Sequence, residues 1–180
     1  MIERTQKRLR QARFFYEHLL NERQQTFRHD PEAFRFYFSA FIQAARTVTW
    51  TLKKEEKKKW EAWEPKWRAN LSNEEQKLLG ITNTLRIAEV HQGGANLPEE
   101  FEEVAIDELL TANLDLRRQH PAYGIHVAAP PGVPQPKAYR PVHYFEDEEG
   151  KEEISALCLR YLEFLEKMVK DFCDDNQVDE

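Results

Sequence analysis

The stretch from Asp30 to Lys58 constrains the fold of this chain more than any other. It opens with Asp30-Pro31-Glu32, a capping aspartate followed by a proline and an acidic residue suited to the first helical turn. Apolar residues then recur at helical spacing on one stripe, namely Phe34, Phe38, Phe41, Ala45, Val48 and Leu52, which Phe36, Tyr37, Ile42 and Trp50 widen. The pattern therefore predicts a helix from Pro31 to about Lys58 that is buried on two sides.

Further helical patterns lie on both sides of this segment. Residues 3–26 predict a helix, and about 152–174 predict a second one with an apolar stripe of Ile154, Leu157, Tyr161, Leu165, Met168 and Phe172. Ser72-Asn-Glu-Glu75 is a capping box that opens another apolar segment. Gly80 interrupts that segment, which leaves open a division into two helices, the second at about 81–92. Residues 99–116 show a weak helical pattern.

The composition changes near the end of the chain, where prolines and glycines predict an irregular loop over about 120–145. Tyr139–Phe145 is compatible with a short edge strand, and Glu146–Gly150 would then be the turn of a hairpin before the last helix. The tail over about 175–180 is acidic and is expected to fray. We therefore predict a single domain over residues 1–180, in the all-α class, built as an antiparallel helical bundle with a Pro-rich insertion.

Charge and hydropathy exclude some functions. The chain has 180 residues and a formal net charge of −6, which argues against a broad basic surface for duplex nucleic acid but allows a local basic cleft. No apolar run approaches the roughly 20 residues of a membrane span, and the first residues lack the apolar stretch of a signal peptide. The expectation is a cytoplasmic protein with no membrane partner.

Metal and redox motifs do not occur in the sequence. Cys158 and Cys173 fall in one predicted helix about 22 Å apart, too far to bond to each other, and are expected to be buried or idle thiols. The chain has no CxxC, HExxH, P-loop or GxGxxG. His120, His126 and His143 lie among prolines without a supporting cysteine or acidic residue. Neither a metal nor a cofactor is expected.

Arg86 and His91 are the residues that most suggest chemistry, because a forked cation and a neutral-pH proton carrier together can bind and cleave an RNA phosphate. The spacing alone is no evidence, since Arg13/His18 and Arg23/His29 repeat it and are interpreted as surface residues. Arg86 could also pair with Glu89 on the helix surface, and His91 could simply favour a helix C-terminus.

Three other features have two interpretations each. Arg46 lies on a strongly apolar helix, either as a buried ion-pair arginine or as a residue lining a cleft. The charged run Lys53–Lys59 is either a solvated face or a patch for the RNA backbone. Trp60, Trp63 and Trp67 share a helical face and serve either packing or base stacking, and Pro65 between them would kink that helix or start a new one.

Three stretches resemble the HEPN family of small helical proteins. Phe38–Trp50 resembles the buried second helix of one HEPN subgroup, and Lys59–Trp63 resembles the tryptophan-bearing stretch that often follows it. Leu85–His91 then falls where the family places its Arg-x(4–6)-His signature. The resemblance covers most of the chain, although only the third stretch is a functional motif.

The resemblance implies a bundle that dimerises through its signature helices. Active members are metal-independent ribonucleases, many of them toxins paired with a nucleotidyltransferase-like antitoxin, whereas others are inactive binding or scaffold domains. It implies Arg86 and His91 as the catalytic pair, with one pair from each protomer in a shared cleft. We add Arg46 and Glu89 as expected substrate-binding residues. The expected function is RNA binding or cleavage in a toxin–antitoxin or defence system.

One position departs from the family pattern. The residue after the signature arginine is usually polar, often asparagine, and here it is Ile87. An apolar side chain can neither orient the arginine nor hydrogen-bond to a substrate. This departure is the reason to keep a second hypothesis, in which the chain is a non-catalytic module that dimerises and binds a partner protein through its aromatic faces.

Overall fold

The computed structural model describes residues 2–24, 30–91, 94–104, 138–148 and 150–177. Five helices lie in these ranges: α1 (Glu3–Gln24), α2 (Pro31–Glu55), α3 (Lys57–Ala69), α4 (Asn73–His91) and α5 (Ile154–Asn176). The same ranges contain three strands: β1 (Glu99–Val104), β2 (Ala138–Asp147) and β3 (Gly150–Glu153). The fold is thus mostly helical, as predicted, but a small antiparallel sheet in the order β1-β2-β3 accompanies the bundle.

Helix α2 lies at the centre of the fold. Its cap is the predicted one, since the Asp30 carboxylate accepts hydrogen bonds from the backbone N–H groups of Glu32 at 2.9 Å and Ala33 at 3.3 Å. All six residues of the predicted apolar stripe are buried. Helix α2 packs along α1 and also contacts α3, α4 and α5, so it is buried on more than one side. Of the residues expected to widen its stripe, Ile42 is buried, but Phe36 and Trp50 are exposed, so that part of the prediction is wrong.

The C-terminal end of α2 caps the N-terminus of α1. The Glu55 carboxylate accepts hydrogen bonds from the backbone N–H of Arg4 and of Thr5, both at 2.9 Å, and from the Thr5 hydroxyl at 2.6 Å. Helix N-termini carry unpaired N–H groups and a partial positive charge, so a carboxylate is a strong partner there. A residue 50 positions away in sequence therefore fixes how these two helices are aligned.

Helix α2 ends earlier than predicted, at Glu55 instead of about Lys58, and α3 begins at Lys57. Glu56 has φ −125° and ψ 47°, which breaks the helix between them. The break lets Trp60 and Trp63 pack on Phe172 of α5. The tryptophans thus serve packing, as one of the two interpretations expected.

Pro65 lies inside α3 and does not end it. The proline removes a hydrogen bond to the carbonyl of Glu61. Both residues are exposed, so that carbonyl lies on the side of the helix where water can reach it. The expectation that Pro65 starts a new helix is therefore wrong.

Helix α4 is one continuous helix from Asn73 to His91, so the division at Gly80 did not occur. The capping box is present, with the Ser72 backbone N–H donating to the Glu75 carboxylate at 2.9 Å and the Glu75 backbone N–H donating to the Ser72 hydroxyl at 3.2 Å. A glycine inside a helix costs about 1 kcal/mol relative to alanine. Burial of the flanking Leu78, Ile81 and Leu85 outweighs that cost.

The weak helical pattern at 99–116 was misleading, because Glu99–Val104 is strand β1. Phe101 is exposed and Val104 is buried, as residues three apart on a strand face opposite sides. A helix would have placed Phe101 and Val104 on nearly one face. Pairing with β2 favours the strand over the helix in this segment. Residues 105–116 lie outside the described residues.

The predicted hairpin is present as β2 and β3, with Asp147 opposite Gly150. Strand β2 is longer than predicted and lies between β1 and β3, so it is not an edge strand, and residues 138–145 are not irregular. Pro141 pairs with Phe101 in the half of β2 that β3 does not cover, a position where a missing N–H is tolerated. The rest of the predicted Pro-rich loop, 120–137, lies outside the described residues.

Arg23 connects α1 to the sheet and to the start of α5. It is only 8% exposed and donates to Glu153 at 2.7 Å and to Glu102 at 2.9 Å. The interpretation of Arg23 as a surface residue is therefore wrong. His29, the histidine of the Arg23/His29 pair in the sequence, lies outside the described residues.

Helix α5 buries its predicted stripe, and Cys158 and Cys173 are both buried, as expected. The helix continues to Asn176, and the Trp63 indole N–H donates to Asp175 at 2.7 Å, so the expected frayed tail does not begin at residue 175. Residues 178–180 lie outside the described residues. Among the helices described, none combines the length and the apolar character needed to cross a membrane.

Replacing Glu55 with alanine should lower the free energy of unfolding by about 1–3 kcal/mol, because it leaves the N–H groups at the start of α1 without their carboxylate. Glu55→Gln should lower it less, since an amide oxygen still accepts. Urea unfolding followed by circular dichroism measures the difference. Glu61→Ala on α3 is the control, since this exposed position should change stability by less than about 0.5 kcal/mol. Equal losses in Glu55→Ala and Glu61→Ala would contradict the cap.

Candidate functional site

A small pocket opens between helices α2, α4 and α5. Its volume is about 40 Å³, enough for one or two groups the size of a water molecule. Two arginines, three other polar residues and two aliphatic residues form its lining, namely Arg46, Arg86, Thr82, Asn83, Tyr161, Ile42 and Leu79. We refer to it as the arginine pocket. Its lining combines polar and apolar groups.

Arg86 is incompletely satisfied within the described part of the chain. Its terminal guanidinium nitrogen Nη2 donates to the side-chain oxygen of Asn83 at 3.4 Å. Its Nε is buried and has no hydrogen-bond partner among the described residues. Leaving a buried donor unpaired costs about 1–3 kcal/mol. An acceptor that reaches Nε would remove that cost.

Arg46 brings a second positive charge to the same pocket. It is exposed, so its interpretation as a buried ion-pair arginine is wrong and the cleft-lining interpretation fits. None of the residues that line the pocket is acidic. Two guanidinium groups without a carboxylate between them favour an anion, and a tetrahedral oxyanion matches their forked donors.

The charges of the pocket act on Tyr161, which lies at its base on α5 and is buried. Burial raises the pKa of Tyr161, while Arg46, a hydrogen bond with Thr82 and Arg86 act in the opposite direction. The phenol is therefore held protonated at neutral pH beside the two cations.

Glu89 and His91 lie outside the pocket, although both are on α4. Glu89 accepts a hydrogen bond from the backbone N–H of Ala95 at 2.7 Å, where the chain leaves the helix. The N–H of Gly94 donates to the carbonyl of Ala88 at 3.2 Å and closes the helix end, with Gly94 at φ 121°. Glu89 thus shapes the end of α4 in this structure, and the alternative in which it pairs with Arg86 is not realised.

His91 is the last residue of α4 and is exposed. Positions five apart on a helix differ by about 140° in direction and about 7.5 Å in height. With Arg86 directed into the bundle, His91 of the same chain does not share its pocket. Of the four expected site residues, the structure therefore brings Arg46 and Arg86 together and leaves Glu89 and His91 apart from them.

Five of the seven pocket residues were not anticipated from the sequence as site residues, among them Tyr161 and Asn83. Tyr161 belongs to the apolar stripe of α5 and was expected to serve the core. Asn83 precedes Arg86 by three positions, a spacing that places both on one helical face and could have indicated their proximity. Nothing in the local sequence indicates which residue of α5 faces Arg46 and Arg86.

The described residues contain no group of three or more histidine, cysteine, aspartate or glutamate side chains that could hold a metal ion. His143 is buried and stacks on Phe34 with ring centroids 4.1 Å apart, whereas His120 and His126 lie outside the described residues. Comparison with protein-family models, with curated proteins and with solved structures finds no match to this chain.

Inorganic phosphate should stabilise the protein through the arginine pocket. At ten times the dissociation constant, binding to the folded state alone adds about 1.4 kcal/mol to the free energy of unfolding. Thermal unfolding in phosphate and in chloride of equal ionic strength measures this difference. Phosphate also stabilises proteins in general by exclusion from their surfaces, so the comparison needs a variant without the site.

Arg86→Met is that variant, because it keeps an unbranched apolar side chain and removes the unpaired buried Nε. It should unfold at no lower a temperature than the natural protein in chloride, and it should lose the additional stabilisation by phosphate. Arg46→Met should lose part of it. An equal phosphate effect in the natural protein and in Arg86→Met would contradict an anion site here.

Proposed function

We propose that this chain is an RNA-binding protein of the HEPN type that binds a backbone phosphate through oxygen atoms that enter the arginine pocket. One observation carries the proposal: Arg86, whose buried Nε has no partner among the described residues, lines a pocket together with a second arginine and no carboxylate. Phosphate oxygens are the acceptors that forked guanidinium donors prefer. The neutral Tyr161 hydroxyl and the Asn83 amide add polar groups that carry no opposing charge.

The proposal extends to cleavage of the bound RNA by His91. In this step the ribose 2′-oxygen attacks phosphorus, the bond from phosphorus to the 5′-oxygen breaks, and a cyclic phosphate and a 5′-hydroxyl result. His91 takes the proton from the 2′-hydroxyl or gives one to the leaving oxygen. Arg86 stabilises the charge that develops on the phosphate oxygens.

A homodimer is part of the proposal, because His91 does not share a pocket with Arg86 of its own chain. In a two-fold dimer the ends of two α4 helices can meet, so that His91 of the partner subunit reaches the phosphate held by Arg86. The biological setting we propose is a cytoplasmic toxin–antitoxin or defence system. A nucleotidyltransferase-like antitoxin would be the second partner.

A non-catalytic interaction module is the second candidate function. The chain exposes several large aromatic side chains, among them Phe36, Trp50 and Phe101. Such residues are common at protein interfaces. Under this hypothesis the arginine pocket binds an acidic group of a partner protein.

Purified protein should cleave total cellular RNA in the presence of excess EDTA if the catalytic proposal is right. His91→Ala should lower the rate by at least about 100-fold, the smaller end of what a general acid or base contributes. Arg86→Met should lower it as well, by weakening both phosphate binding and charge stabilisation. The exposed His91 should be replaceable without a change in the melting temperature.

His18→Ala is the control for histidine loss elsewhere in the chain, because His18 lies between Phe14 and Tyr37 on α1 and α2, away from the arginine pocket. It should keep full activity. Intact RNA with the natural protein, from a sample that is dimeric and folded, would reject catalysis and favour the interaction module. Equal cleavage by the natural protein and His91→Ala would point to a contaminating nuclease.

A further inference from the structure

The exposed side of α2 carries an unusual combination of an uncovered tryptophan and several cations. Arg46, Trp50, Lys53 and Lys54 are all exposed. At 100° per residue they fall within an arc of about 100° on the helix. Arg46 belongs at the same time to the arginine pocket, so this side of α2 continues the pocket along the surface.

Trp50 differs from the other tryptophans of the chain. It is 57% exposed, whereas Trp60 and Trp63 are buried and Trp67 packs partly against the core. The Lys54 ammonium lies 3.7 Å from the centroid of the Trp50 ring, which holds the ring in place and puts a positive charge beside it. The exposed remainder of the indole is a flat apolar surface next to a cation. A nucleotide complements this surface, because its flat base can stack on the indole while its negatively charged phosphate lies near the cation.

The charges around Trp50 are not cancelled by nearby carboxylates. Glu55 is directed to the N-terminus of α1, where it is fully engaged in capping. Among the described residues, no carboxylate lies within 4.0 Å of the ammonium groups of Lys53, Lys54 or Lys58. This part of a chain with net charge −6 is therefore locally positive. Its charge complements a phosphate backbone.

We infer that this side of α2 is a track for single-stranded RNA, with one phosphate in the arginine pocket, the neighbouring base stacked on Trp50 and the following phosphate near Lys53 and Lys54. The inference rests on the proposed function and adds the substrate class. Arg46 and Trp50 are separated by about 6 Å along the helix, a distance that one nucleotide can span. Only an unpaired base can stack on the indole, so the track selects single strands over duplexes.

The test is fluorescence anisotropy with a fluorescein-labelled 12-nucleotide oligouridylate whose 2′-hydroxyls are methylated, so that it cannot be cleaved. Trp50→Ala should weaken binding by about 5- to 150-fold, the range that base stacking on an aromatic side chain supports. Trp50→Phe should keep most of the affinity. Replacing Lys53 and Lys54 by glutamine should reduce the slope of log K against log salt by about 0.7 for each phosphate that is no longer neutralised.

Phe101→Ala is the matched control, since Phe101 is 68% exposed but lies on the acidic strand β1. It should bind as the natural protein does, and an RNA duplex of the same length should bind more weakly than the single strand. Arg86→Met measures the arginine pocket independently. Weaker binding by both Trp50→Ala and Arg86→Met, with Phe101→Ala unchanged, supports the track.

Three outcomes would overturn it. If Trp50→Ala binds as well as Phe101→Ala while Arg86→Met binds more weakly, the track is wrong and the arginine pocket stands. If the natural protein does not bind the oligonucleotide, both the track and the proposed function fail. If Trp50→Ala keeps its affinity but changes the sedimentation coefficient of the protein, this side of α2 joins two copies of the chain.

Discussion

The burial of α2 against its neighbours is the constraint on which the other features of the fold depend. Its apolar stripe faces inward along the whole helix, and α1, α4 and α5 pack around it. The orientation of α2 then decides what each remaining residue can do. Glu55 at its end reaches the start of α1, and Arg46 on its outer side reaches the pocket formed with α4 and α5.

Two arginines in this chain show how differently the fold treats buried charge. Burial alone would lower the pKa of Arg23, but hydrogen bonds and charge from Glu153 and then Glu102 reverse the effect and raise it. Arg23 is therefore a structural cation with its counter-charges supplied by the fold. Arg86 has an amide as its hydrogen-bond partner, and the lining of its pocket adds a second cation. A protein that needed Arg86 only for stability would gain by replacing it with an apolar residue.

Local signals in the sequence predicted the elements whose ends are capped by nearby residues. The Asp30 cap and the Ser72 box placed the starts of α2 and α4 correctly. The predictions failed where contacts between residues distant in the sequence determine the secondary structure. Strand β1 exists because β2 pairs with it, and α4 remains continuous through Gly80 because its flanking side chains are buried.

The residues of the candidate site were likewise predictable from the sequence only in part. Arg86 could be chosen from the sequence because of its spacing to His91 and the resemblance to the HEPN signature, and Arg46 because it lies on a strongly apolar helix. Tyr161 could not, because its position beside them depends on how three helices cross. The pairing of Glu89 with Ala95 depends on the chain path after α4, which the helical pattern does not contain.

The structure also bears on the unusual position of Ile87. An apolar residue directly after Arg86 cannot hold the guanidinium, yet the side-chain oxygen of Asn83, one turn earlier on α4, accepts a hydrogen bond from it at 3.4 Å. Residues three apart on a helix are neighbours, whereas adjacent residues point about 100° apart. Asn83 is therefore better placed to orient Arg86 toward the pocket than position 87 is, and Ile87 is left to contribute to packing, in which it is half-buried. An apolar residue at position 87 thus argues neither for nor against a working Arg86, and the proposed catalysis depends instead on His91 and on the proposed homodimer.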